Sequence, residues 1–199
     1  MTYLKTGITF MGIIILIACN SEVSQSNSSK NKKTDQVGRS SQELFDIGNE
    51  NYQNGQLKKA VDKFVEALKV EKQKDKPDSL LLSNIYNIRG EVYLSQGVAV
   101  LSQSDFAYAS DYNPKNESAL NNLAIWFSIE QFSNPDYARS FEYFNKALLI
   151  NPKRKDIQLN KAIILVKSGD KEAGCKILNE LKSEGYADAE IAIQRFCEN

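Results

Sequence analysis

Three cysteines and a few closely spaced carboxylates are the side chains with which this chain could do chemistry, because its 199 residues include no histidine. Without imidazole, Ser-His-Asp and Cys-His catalysis are excluded, and so is the commonest transition-metal ligand. Carboxylates would have to serve instead. Asp170 with Glu172, and Glu180 with Glu184, have the spacing of an acid and base pair such as a glycosidase uses. Both pairs fall on or beside expected exposed helix surfaces, where acidic residues are ordinarily solvated, so no catalytic residue is assigned. Gly-rich phosphate loops, Cys-x-x-Cys pairs and a Gly-x-Ser-x-Gly elbow are missing from the sequence, and neither cofactor nor metal is expected. Lys plus Arg equals Asp plus Glu at 25 each, which leaves no basic excess for nucleic acid or acidic lipid.

The first cysteine closes an apolar run. Lys5 supplies a short positive region, and Ile8 to Ala18 is apolar apart from Thr9 and Gly12. About eleven residues are too few to span a bilayer, which takes about twenty, so the run reads as a targeting segment. Leu16-Ile17-Ala18-Cys19 resembles the lipobox of bacterial lipoproteins: a large apolar residue, a tolerant position, a small residue, then cysteine. That resemblance implies a signal peptide over 1–18, cleavage before Cys19, diacylglycerol on its sulfur and acylation of the new terminus. Two or three acyl chains would hold the protein on a membrane, where one binds only marginally. An ordinary secretory peptide whose cleavage site includes Cys19 is the alternative. Asn20 stands where some diderm bacteria place an Asp for inner-membrane retention, which points to the outer membrane. Between Asn20 and Ser40 there are two valines and no larger apolar residue, too little to offset the entropy of ordering. Residues 19–40 are expected to be anchor and flexible tether, reaching roughly 25 Å as a coil; a cleaved pro-segment is the other reading.

From Ser41 onward the apolar period becomes about 3.6 residues, which predicts helices. Leu44, Ile47, Gly48 and Tyr52 mark one helix, and Leu57, Ala60, Val61, Phe64, Ala67 and Leu68 mark the next, with Asn54-Gly55 between them. A small residue, an aromatic four later and a small residue three after that recurs at Ala60-Phe64-Ala67, Ser102-Phe106-Ala109 and Ser140-Phe144-Ala147. With Gly48, Gly90, Ala124 and Ala162 in the preceding helices, this order resembles the tetratricopeptide repeat, a 34-residue helix-turn-helix. The first-helix small residues are separated by 42, 34 and 38 positions. The surplus of eight fits the polar stretch Glu71 to Ser79, and the surplus of four fits an enlarged turn at Gln131 to Asp136. A generic helical bundle is the competing reading. The expected fold is therefore an all-α tetratricopeptide-repeat superhelix over 41–199, with repeats at about 41–74, 83–116, 117–154 and 155–184. Arg89 stands where the repeat usually has Leu, so the helix is expected to be turned or exposed there.

After Gly185, the residues Ala189, Ala192, Ile193 and Phe196 make one apolar stripe at i, i+3, i+4 and i+7, which predicts a capping helix over 186–198. Cys175 precedes Gly185 by ten residues and Cys197 follows it by twelve. If the last two helices fold back about that glycine, the two thiols come alongside each other. With export and lipid assigned to Cys19, they are the remaining pair in an oxidising compartment, and a Cys175–Cys197 disulfide is expected. Two small core residues that never meet remain the alternative.

In this family the first helices line a concave groove. The resemblance points to Asn49, Tyr52, Gln53, Asn87, Glu91, Asn121, Ile125 and Ser128 as the partner groove, a set rich in amides that could bond an extended peptide. Phe45, Ser118 and Asn122 stand where the family's clamp for chaperone tails would need cations, so capture of a C-terminal carboxylate is not expected. The functional expectation is a non-enzymatic, lipid-anchored scaffold of the cell envelope, recruiting another envelope protein or peptide. A carboxylate-based enzyme or binder of cell-wall glycan, and a periplasmic immunity or inhibitor protein, are the alternatives.

Overall fold

Asparagine-proline pairs and positive-φ glycines divide the chain into hairpins. The computed structural model describes residues 38–130 and 134–198. The signal peptide expected over 1–18, the lipid site at Cys19 and the tether through residue 37 lie outside the described residues, as do 131–133 of the enlarged turn. Within the described residues, nine helices follow one another: α1 Ser41–Gln53, α2 Leu57–Lys72, α3 Ser79–Ser95, α4 Ala99–Tyr112, α5 Glu117–Phe127, α6 Tyr137–Ile150, α7 Lys155–Lys167, α8 Lys171–Ser183 and α9 Ala187–Phe196. They pack as hairpins α1–α2, α3–α4, α5–α6 and α7–α8, each against the next, with α9 laid on α7 and α8.

Local chemistry sets the ends. Ser40 and Glu43 form a reciprocal capping box at the start of α1. Asp78, Asn116, Asp136 and Asp170 each accept hydrogen bonds from first-turn amides of the following helix. Gly55, Gly97, Gly169 and Gly185 take φ values of 70, 73, 103 and 77°, which reverse the chain after α1, α3, α7 and α8. At the other kind of junction, Asn113 and Asn151 precede proline and hold nearly identical extended conformations, φ −140° with ψ 94° and 93°. Two successive repeats therefore end in the same way.

The small and aromatic residues pack inside the hairpin. A Cβ on Gly48 would lie 2.5 Å from Phe64 Cε1, and one on Gly90 would lie 2.7 Å from Phe106 Cε1. Phe64, Phe106 and Phe144 are fully buried, as are Ala67, Ala109 and Ala147. Ser140 reinforces the same approach by donating its hydroxyl to the Ala124 carbonyl at 2.7 Å. In the fourth hairpin the obstacle is backbone and not a ring, since a Cβ on Gly174 would meet the Ala162 carbonyl oxygen at 2.6 Å.

Two local expectations are sharpened. The non-helical connection within the polar stretch Glu71 to Ser79 is limited to residues 73–78: α2 runs through Lys72 and α3 begins at Ser79. Glu71 explains the tight connection, because its fully buried carboxylate accepts from Lys74 at 2.6 Å, from the Asp78 amide at 2.6 Å and from the Ser41 hydroxyl. Arg89 is not exposed. Its guanidinium grips both oxygens of Asp105 on α4 at 2.7 and 2.8 Å and lies over the Tyr86 and Tyr93 rings.

At the C-terminal end, Ala189, Ala192 and Ile193 pack against Leu159, Ala162, Leu178 and Leu181. The structure joins Cys175 to Cys197 in a disulfide with a Cα–Cα distance of 5.9 Å. None of the described helices is long and apolar enough to cross a membrane.

Candidate functional site: the first-helix face

Successive first helices α1, α3 and α5, with Ser128 as the C-cap of α5, carry the eight residues of the expected groove, and the structure sorts them into two groups. Asn49 and Tyr52 on α1 are half-buried and Gln53 is exposed, so this end presents side chains outward. Asn87 and Glu91 on α3 are 4% and 2% exposed, and Asn121, Ile125 and Ser128 at α5 are 8%, 5% and 7% exposed. The expectation of an open, amide-lined groove is corrected at α3 and α5. The physical reason lies in α5 itself: every residue from Ala119 to Phe127 is buried.

The buried amides are spent on joining repeats. Asn122 Nδ2 on α5 donates to Asn87 Oδ1 and to Glu91 Oε1 on α3, each at 3.0 Å. Asn87 Nδ2 also donates to Glu91 Oε1 at 3.0 Å, one helical turn away on α3. Asn160 on α7 continues the line, donating to Asn121 Oδ1 at 3.2 Å. These bonds satisfy groups whose burial would otherwise cost about 1–3 kcal/mol for each neutral amide. Glu91 is left among neutral partners, and no lysine or arginine among the described residues pairs with it. Burial pushes its carboxyl up to about 7, against the lowering effect of the Asn122 and Asn87 hydrogen bonds.

Asn160 was not among the expected face residues, and Asn122 was expected there only as a position lacking the clamp's cation. A signal existed, because Asn122 stands 35 positions after Asn87 and Asn160 stands 39 after Asn121, close to one repeat length, and these pairs bond across repeats.

The carboxylate pairs stay at the surface. Asp170 caps α8 through the Ala173 amide at 3.1 Å, and Glu172 is exposed. Glu180 and Glu184 share a shallow cleft with Lys161 and Ile177, and Glu184 lies 3.0 Å from the Lys155 ammonium. Neither is buried. Among the described residues, no group of three or more Cys, Asp and Glu is placed to hold a metal.

Four stacked hairpins, the first three with a buried aromatic beside their small residues, closed by a further helix, define a tetratricopeptide-repeat superhelix. No protein-family model matches the chain, and no curated protein does. Solved structures do match. A tetratricopeptide-repeat protein from Parabacteroides merdae superposes with a TM-score of 0.59 at 22% identity, over 77% of this chain and 59% of that one. This chain thus spans a little under three-fifths of that structure. PilW, a type IV pilus biogenesis factor, superposes with a TM-score of 0.60 at 22% identity, over 82% of this chain and 77% of its own. YrrB, a tetratricopeptide-repeat protein with an unusual peptide-binding site, gives 0.55 at 15% identity, over 78% of each chain. At these identities the likeness is one of fold.

Proposed function

We propose that the protein is a non-enzymatic interaction scaffold, exported and held on a membrane of the cell envelope by acyl chains on Cys19. Its solenoid binds a segment of another envelope protein along the first-helix face. The observation that carries this reading is the contrast along that face. Asn87, Glu91, Asn121 and Asn122 are consumed by contacts between repeats, whereas Asn49, Tyr52 and Gln53 on α1 retain access to solvent. The peptide-binding site of YrrB, on a similar fold, supports the same use here. Absence of a cation on the α1 set, together with half-buried Phe45 packed 5.9 Å from Phe64, favours a neutral extended segment over an acidic tail.

Affinity capture of the full-length chain from native membranes tests the scaffold. The captured protein is expected to be lost with Asn49→Ala and Gln53→Ala together, and kept with Glu180→Ala and Glu184→Ala. The reverse result, with glycan hydrolysis that needs the two glutamates, overturns it. The anchor is tested separately: Cys19→Ala is expected to release the protein from the membrane fraction, and retention there defeats the lipid assignment.

A further inference from the structure

The four second helices can be compared position by position, because each places one fully or nearly buried small residue against its first helix: Ala60, Ser102, Ser140 and Gly174. Counting from these, five outward positions recur on every second helix. On α2 all five are charged: Lys58, Lys59, Asp62, Glu66 and Lys69. On α6 three are charged (Arg139, Glu142 and Lys146), and so are three on α8 (Glu172, Lys176 and Glu180). On α4 the same positions hold Val100, Leu101, Ser104, Tyr108 and Asp111. Val100 is 72%, Leu101 46% and Tyr108 51% exposed. The opposite face of α4, with Ser102, Phe106 and Ala109, is buried as in the other hairpins. A helix that is apolar on both faces has a partner on both.

We propose that the outer face of α4 is the seam of a homodimer, in which two copies pair these helices antiparallel about a two-fold axis at Ser104. The arrangement is self-complementary, as an isologous contact requires. Val100 lies four residues before Ser104 and Tyr108 four after it, so each Tyr108 covers the second copy's Val100. Leu101 and Ala107 lie three before and three after, and they pair in the same way. The small Ser104 at the crossing lets the helix axes approach to about 8 Å. Charge favours a second copy as the occupant. Asp111, seven residues beyond the axis, arrives at the second copy's Gly97, beside the first turn of α4. That terminus has Val98 as its N-cap and no side-chain hydrogen bond to its amides. A carboxylate is favoured there by the helix dipole. α4 carries no Lys, Arg or Glu, so pairing two copies buries no cation and opposes no like charges at its centre. One helix of 14 residues, about 21 Å long, gives a contact at the low end of the range for stable complexes, so the dimer depends on concentration.

Cysteine cross-linking in the full-length, membrane-resident chain tests the seam. Mild oxidation of Ser104→Cys is expected to give a disulfide-linked dimer on a non-reducing gel. Asp62→Cys, at the equivalent place on α2, is expected to give none. Adding Val100→Glu and Leu101→Glu to Ser104→Cys should abolish the cross-link while the melting temperature stays unchanged, both sites being exposed; Tyr108 is left in place because its ring packs on Tyr86 at 5.1 Å. Equal cross-linking from positions 62 and 104 overturns the proposal. So does a cross-link that survives the two glutamates, or one that joins Ser104→Cys to a different protein. Sedimentation of the unsubstituted detergent-solubilised chain is the independent check: dimer growing with concentration is expected, and monomer throughout overturns the seam.

Discussion

Glu71 and Glu91 are both inaccessible to solvent, yet their surroundings give them opposite roles. Burial pushes Glu71 up, but the Asp78 amide, the Lys74 ammonium and the Ser41 hydroxyl outweigh it and hold the carboxyl below its ordinary 4.5. It stabilises the fold as an anion above that value, and that contribution is lost as pH falls through the depressed folded value. Glu91 has only amides, and burial wins, raising it from 4.5 to about 7. The folded state then holds a proton that the unfolded chain has released between these two values. Its contribution is complete below pH 4.5, declines as pH rises and is gone above about 7. A change of that size corresponds to about 3 kcal/mol. Urea unfolding at a series of pH values is expected to show wild-type stability falling between pH 4.5 and about 7. Glu91→Gln, which keeps an acceptor for Asn122, should flatten most of that slope. A wild-type curve that is already flat across this window sinks the assignment.

At the scale of elements, the glycines separate two reasons for having no side chain. Gly55 turns the chain with φ 70° and has open space around it. Alanine there incurs only backbone strain, about 1 kcal/mol. Gly174 has ordinary helical geometry, but its Cβ would meet the Ala162 carbonyl at 2.6 Å and the Val166 amide nitrogen at 3.0 Å. Both are backbone atoms and neither can swing away, so α7 and α8 must separate. Gly174→Ala is expected to cost about 1–3 kcal/mol, and more than Gly55→Ala, in thermal melts of the two variants. Equal losses would mean that the α7–α8 approach is not tight. The hairpins were legible in sequence because such contacts demand particular residue types: a glycine or alanine facing an aromatic leaves a pattern that repeats. The face meant for a partner was far less legible. Whether Asn87 or Asn121 meets water depends on how closely α3, α5 and α7 approach, and the spacing of first helices leaves no mark within a single repeat. For the same reason Arg89 read as a break in the pattern, although Asp105 and two tyrosine rings receive it from its own hairpin.

For the whole solenoid, stability is close to a sum of hairpins and the contacts between neighbours, so the ends are where it opens first. The two ends are built differently. At the start, α1 is fixed by the Ser40–Glu43 box and by the Ser41 hydroxyl on buried Glu71. At the finish, α9 contributes only ten residues, and Ala189, Ala192 and Ile193 make up its buried face. That is a thin cap for the apolar surface of Leu159, Ala162, Leu178 and Leu181. The Cys175–Cys197 bond closes a loop of 22 residues over this contact, and restricting such a loop in the unfolded chain is worth about 3 kcal/mol. Since α9 packs on α7 and α8 among the described helices, the loss should stay local. Serine at both cysteines, in the otherwise complete chain, is expected to raise amide exchange across α9 and the facing turns of α7 and α8. Protection in α1 to α4 should be unchanged. Uniformly faster exchange along the whole solenoid would show that the hairpins unfold as one cooperative unit, and the nearest-neighbour account of this fold would have to be abandoned.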